Sequence, residues 1–218
     1  MKEKMQKAKE KGIFEIVSII VTFIIFLFNL FVGIYYASKY NFAISFYLVL
    51  LGIFRLIVFI FKKKNVKLTK FKFIILSICL ICINLVLIGP IVLMVFQERK
   101  IGYGTIIAIS LATYTAYKTI MGIMNLAKST KSDSLYYKLL SFINFIDVLV
   151  SLITLSYSLI VVNNNGELGS DSILMISVAW TTFGIIILAT VLFIVFGSRY
   201  FKNSKEIKDE WIWKNATR

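Results

Sequence analysis

Residues 139–162 read LLSFINFIDVLVSLITLSYSLIVV, an uninterrupted 24-residue stretch in which the one charged residue is Asp147. A helix rises about 1.5 Å per residue, so about 20 apolar residues cross the roughly 30 Å hydrocarbon core of a bilayer. In lipid, each backbone amide must be satisfied within its own segment, which favours a helix. The stretch therefore predicts a membrane-spanning helix, and its aspartate marks a position that needs a partner.

Five further stretches of this kind lie along the 218-residue chain. The alternating ten-residue strands of an outer-membrane barrel do not occur in the sequence. We predict an all-α polytopic membrane protein, a bundle of six transmembrane helices between a basic head at 1–15 and an amphipathic tail at 197–218. The six predicted spans are residues 16–36, 42–61, 73–96, 104–126, 139–162 and 172–196.

The composition excludes several classes of protein. Hydrophobic residues make up 59% of the chain and charged residues 17%, with a mean hydropathy of +0.84, whereas soluble domains average about 25% charged residues. This rules out a soluble globular enzyme, a disordered chain and a secreted disulfide scaffold. The chain has no histidine, and Cys79 and Cys82 alone cannot complete a soft-metal site. We expect no metal and no cofactor, and we interpret these cysteines as packing residues on one helix face.

The basic residues indicate the orientation of the spans. Twenty lysines and arginines lie in the head, the second and fourth connections and the tail. The other connections hold Lys39, Arg99 and Lys100. The positive-inside rule therefore predicts that both termini are cytoplasmic. We expect the basic segments, which explain the net charge of +14, to meet anionic lipids and not nucleic acid.

Three charged residues lie within the predicted spans at a similar depth, about 10–13 Å below the cytoplasmic edge. The long side chains of Arg55 and Lys118 can extend to the interface. The short side chain of Asp147 cannot, so it pairs with Lys118 or Arg55, lines a water-filled site, or stays protonated.

Polar residues recur along the fifth span at spacings of 3, 3, 4, 3 and 4, which places them on one helix face. This polar stripe consists of Ser141, Asn144, Asp147, Ser151, Thr154 and Ser158. Such a face is expected to point into the bundle. It forms either a ladder of interhelical hydrogen bonds or one wall of a hydrophilic path.

Small residues repeat every four positions in the fourth span, at Gly104, Ala108, Ala112 and Ala116. A ridge of this kind lets another helix approach closely. Tyr114, Lys118 and Asn125 lie on nearly the opposite face. Because this span has a packing ridge on one side and a charge on the other, we expect it to be central. The ridge would serve an intramolecular contact, a homodimer or another membrane subunit.

Two further signals concern helix ends. Gly89 and Pro90 predict a break in the third span, because proline has no N–H to donate. In the tail, Asn203 followed by Glu206 fits a capping box and predicts that a separate surface helix begins there.

The function classes follow from these features. An intramembrane zinc protease needs the H-E-x-x-H motif, which a chain without histidine cannot contain. Asp147 is the one deep carboxylate, so an aspartate-pair protease is also excluded, and we expect no enzymatic activity. The polar stripe and the charges at one depth favour a transport-like protein in a bacterial cell membrane. The alternative is a scaffold, immunity or regulatory protein whose intramembrane charges only lock helix packing.

Overall fold

The computed structural model describes residues 2–64, 66, 68–95, 105–130, 132, 134–163 and 172–216. Every regular element within these ranges is an α-helix, as the sequence predicts. The helices are α1 (Lys2–Tyr35), α2 (Lys39–Lys63), α3 (Lys70–Val86), α4 (Ile88–Val95), α5 (Thr105–Thr130), α6 (Leu135–Asn163) and α7 (Ser172–Ala216).

Five helical segments of the described chain are long and apolar enough to cross a membrane. They are Ser18–Tyr35, Lys39–Lys63, Lys70–Met94, Leu135–Val162 and Ile173–Arg199. The fourth predicted span corresponds to α5, which is long enough at 26 residues. Its apolar character is weaker because Lys118 lies near its middle among several threonines and tyrosines. The described part of the chain is therefore all-helical, with five candidate membrane-spanning segments, which is consistent with a membrane protein.

The first two helices form a tight antiparallel pair. Ala37 has a left-handed φ of 48° in the turn between them, and Ser38 caps α2 by accepting a hydrogen bond from the Asn41 N–H. A Cβ atom at Gly33 would lie 2.9 Å from the backbone nitrogen of Phe42. Glycine therefore allows the two backbones to meet at this end of the pair.

The helices at the centre of the bundle are α2 and α6. The most extensive contacts of α6 are with α2, α5 and α7, and those of α2 are with α1, α3, α4 and α6. In α6, 56% of the most apolar stretch is buried, compared with 17% in α7. The expectation that the fourth span is central is wrong: α5 packs along α6 at the edge of the bundle.

The small-residue ridge of α5 does not form the seam with α6. Residues four apart on a helix differ by about 40° around its axis, so four such positions turn through about 120°. Ala112 is accordingly half-buried and Ala116 exposed. Gly104 lies outside the described residues, as does the side chain of Ala108.

The third predicted span is divided into two helices. α3 ends at Val86 and α4 begins at Ile88, with Leu87 in a turn between them. The Leu87 N–H donates to the Asn84 carbonyl over 3.2 Å, a tighter turn than an α-helix makes. Pro90 cannot donate to the carbonyl of Val86 one helical turn earlier, which explains a break at this point.

The last helix differs from the prediction for the tail. α7 runs without interruption from Ser172 to Ala216, so no separate helix begins at Asn203. Extending a helix adds a hydrogen bond for each residue fixed, whereas nucleating a new one is unfavourable. The tail contains no proline to stop the extension.

Candidate membrane-buried polar site

Asp147 lies at the centre of the polar site, in the middle of α6, and is 1% exposed. Its Oδ1 atom is 2.8 Å from the Nζ atom of Lys118 in α5. Its Oδ2 atom is 3.0 Å from the hydroxyl of Thr22 in α1, which donates to it. Of the two cations that the sequence offered, Lys118 therefore forms the ion pair, and a third helix contributes a hydrogen bond.

The Lys118 ammonium links α5 to α6 at a second point. It donates to the Ser151 hydroxyl over 2.7 Å, and this hydroxyl donates in turn to the main-chain carbonyl of Asp147 over 2.8 Å. The ammonium also lies 5.5 Å from the centre of the Tyr114 ring, which is within cation–π distance. The ion pair is thus part of a network joining two antiparallel helices.

Arg55, the third charge of the predicted cluster, lies in α2 and is 2% exposed. Of the three charged residues at similar predicted depth, Asp147 and Lys118 form a contacting pair.

A partly enclosed cavity of about 60 Å³ adjoins the ion pair. It lies between α1, α5 and α6. Tyr114, Lys118 and Asn125, which the sequence places on one face of the fourth span, all line it. The other described lining residues are Ser18 and Val21 of α1, Tyr117, Met121 and Gly122 of α5, and Asn144, Asp147 and Val148 of α6.

Besides the Oδ1 atom of Asp147, which is ion-paired with Lys118, two lining side chains carry buried polar atoms that have no hydrogen-bond partner in the described chain. They are the Oδ1 atom of Asn144, which is 8% exposed as a residue, and the hydroxyl of Tyr114. Most buried polar atoms in proteins are paired, with protein groups or with ordered water. These two atoms are therefore exceptions within the described chain.

All six residues of the polar stripe are buried on α6, and they face different neighbours. Asn144 and Asp147 line the cavity. Farther along the helix, the hydroxyls of Thr154 and Ser158 donate to carbonyls of their own helix. Thr154 also accepts a hydrogen bond from Tyr40 of α2 at 3.4 Å. One end of the stripe thus belongs to the cavity, and this other part packs against α2.

The structure adds functional residues that the sequence analysis did not identify. Thr22, Ser18 and Val21 reach the site from α1, and no local pattern around them indicates this. Gly122 is different, because a Cβ atom there would lie 2.6 Å from Cγ2 of Val148. Its position one turn after Lys118, on the charged face of α5, was a signal for close approach to α6.

Comparisons with known proteins add no relative to this description. No protein-family model, no curated protein and no solved structure matches the chain. The interpretation of the site therefore depends on its own geometry.

Proposed function

We propose that this integral membrane protein is transport-like and holds a small polar solute in the cavity between α1, α5 and α6. The observation that supports the proposal best is the Asn144 Oδ1 atom, which is buried and unpartnered in the described chain and lies beside the Asp147–Lys118 ion pair. A carboxamide oxygen without a partner costs free energy unless water or a ligand satisfies it. A bound solute accounts for this atom.

The charges within the membrane support the same function. Ionisable residues in a span are expensive, and they commonly mark pathways for ions or substrates. Here the pair lines a cavity instead of being fully surrounded by packed side chains. If the ion pair had only a structural role, packed side chains could surround it, and no cavity would be needed beside it.

We further infer that α5 is a sixth span and that both termini are cytoplasmic. α5 runs antiparallel to α6, since Lys118 contacts Asp147 and Ser151, and Gly122 adjoins Asn144 and Val148. A helix held along the length of a spanning neighbour would cross the membrane with it. The basic ends of the helices would then meet anionic lipids on the cytoplasmic side of a bacterial cell membrane.

Side-specific thiol labelling tests whether water reaches the cavity. Cys79 and Cys82 are exposed on α3 and are first replaced by alanine. A Met121→Cys variant then places a thiol in the cavity wall. The Ile120→Cys variant is the matched control, because Ile120 is 61% exposed on the outer surface of α5 at the same depth. A membrane-impermeant methanethiosulfonate reagent is applied to each side of sealed vesicles.

We expect the thiol at position 121 to react much faster than the thiol at position 120, because a thiol in lipid does not ionise to the reactive thiolate. Reaction from both sides of the membrane would support alternating access and transport. Equal, slow reaction of the two variants would contradict a water-filled cavity.

The second candidate function is a non-catalytic scaffold, immunity or regulatory protein. It is favoured by the contacts of Asp147, whose two carboxylate oxygens meet Lys118 and Thr22 as in a helix lock. The partner of such a scaffold, immunity or regulatory protein would be a second copy or another membrane subunit. It would bind on the exposed side of α5, where Ala116 lies. Slow labelling at position 121, together with dimers captured by crosslinking an Ala116→Cys variant, would favour this function over transport.

A further inference from the structure

We infer that the cavity accepts a small zwitterion, a molecule or headgroup that carries both an ammonium group and an anionic group such as a carboxylate. This inference deepens the proposed function and rests on it. It follows from the charges, the open hydrogen-bonding positions and the size of the cavity.

The charges of the wall have both signs at one place. Lys118 and Asp147 line the same cavity with their charged atoms 2.8 Å apart. A ligand with one charge would be attracted by one member of the pair and repelled by the other, at a depth where screening is weak. A zwitterion aligned antiparallel to the pair places each of its charges near the opposite one.

The hydrogen-bonding positions agree with this orientation. An ammonium group has three N–H donors. Asp147 and Ser151 accept from two N–H groups of the Lys118 ammonium. Its third N–H is available to the anionic group of a ligand. The Asn144 Oδ1 atom is an unpaired acceptor on a residue of the cavity wall and suits the ligand's ammonium, and the unpaired Tyr114 hydroxyl can donate to its anionic group.

The volume limits the size of the group. A water-sized group needs about 10–15 Å³ on this measure, so a cavity of about 60 Å³ holds about four to six non-hydrogen atoms. Glycine has this size. The zwitterionic headgroup of a phospholipid presents similar chemistry as the end of a larger molecule, so the experiment must distinguish the two sources.

The test measures how solutes protect the Met121→Cys thiol in the purified full-length protein that lacks Cys79 and Cys82. The protein is reconstituted in vesicles of phosphatidylglycerol, which contain no zwitterionic lipid. The probes are glycine, acetate, ethanolamine and acetamide, which represent a zwitterion, an anion, a cation and a neutral amide. At about ten times its Kd, glycine is expected to slow modification about tenfold, because the free fraction falls as 1/(1 + [L]/Kd). The other three probes should have little effect.

An Asn144→Leu variant provides the matched control at the site itself. We expect glycine to protect the Met121→Cys thiol far less in this variant, since it lacks the unpaired acceptor of Asn144. A Val21→Cys reporter on the opposite wall repeats the measurement if the Met121→Cys variant does not fold.

The outcomes separate this inference from the proposed function. Slower modification on adding phosphatidylethanolamine in place of glycine would assign the same chemistry to a lipid headgroup. Equal protection by acetate or ethanolamine would overturn the inference of a zwitterion. Fast modification that neither glycine nor phosphatidylethanolamine slows would overturn it as well. In each of these cases the water-filled cavity would remain supported. Modification as slow as that of the Ile120→Cys control would overturn both proposals.

Discussion

At the scale of single residues, the central feature is the carboxyl group of Asp147, which is buried inside the bundle. Its two oxygens contact the Lys118 ammonium and the Thr22 hydroxyl, and it is 1% exposed. A buried pair gains little over a well-packed apolar pair, yet removing one partner leaves the other charge uncompensated. The pair is therefore more informative about position and chemistry than about stability.

A double-mutant cycle on this pair tests the contact. We expect Asp147→Leu alone and Lys118→Met alone each to lower the free energy of unfolding by about 3–5 kcal/mol, because each leaves one buried group without its partner. The Asp147→Leu/Lys118→Met double variant should lose less than either single variant. Equilibrium unfolding in mixed detergent micelles measures all four proteins. Costs that simply add would show that the two side chains do not interact.

At the scale of helices, the close approach of α5 to α6 positions the site. It occurs at Gly122, where an added Cβ atom would lie 2.6 Å from Val148 Cγ2. Valine has one strongly preferred rotamer in a helix, so this methyl group cannot turn away easily. The glycine thus sets the distance between the helices that carry Lys118 and Asp147.

Alanine substitution tests this role of Gly122. We expect Gly122→Ala to destabilise the protein by about 1–3 kcal/mol through overpacking and to weaken any ligand protection at the cavity. Gly184→Ala in α7 is the matched control, because nothing lies within 4 Å of its Cβ position. That variant should be neutral or stabilising by up to about 1 kcal/mol, since alanine favours a helix over glycine. Thermal unfolding of both variants gives the comparison, and equal effects would argue against a tight seam at Gly122.

At the scale of the whole molecule, α5 determines how many helices cross the membrane. Five segments of the described ranges are apolar enough by themselves, and α5 lies along α6 through a charged face. A helix whose charge is paired within the bundle can cross with less apolar character than a solitary one, because the charge does not face lipid.

The topology of the two termini tests this count. If α5 spans, the number of crossings is even, and epitope tags at both ends should be cleaved by protease in inside-out vesicles and protected in right-side-out cells. The distribution of twenty basic residues against three between the two sides predicts this arrangement. A tag at one end that is cleaved only from the outside would show that α5 does not cross the membrane.

Much of the architecture could be predicted from the sequence because it depends on local properties. The length and apolarity of the runs indicate membrane helices, and Pro90 indicates the break that lies between α3 and α4. The 3-and-4 spacing places six polar residues on one face of α6, and all six are buried, as are most other residues between Leu139 and Ser151 around the helix. Each of these features depends on one helix and the lipid or water around it, so it can be predicted without knowing the neighbouring helices.

Which groups meet depends on how the helices pack against one another. The sequence offered Asp147 two cations, and the choice of Lys118 depends on α5 lying beside α6. Thr22 is 125 residues from Asp147 in sequence, and no local pattern predicts that contact. The packing ridge and the opposite charge of the fourth span predict that it is central, whereas α6 and α2 occupy the centre. A periodic pattern indicates which residues share a helix face, but the neighbour of that face is set by how all the helices fit together.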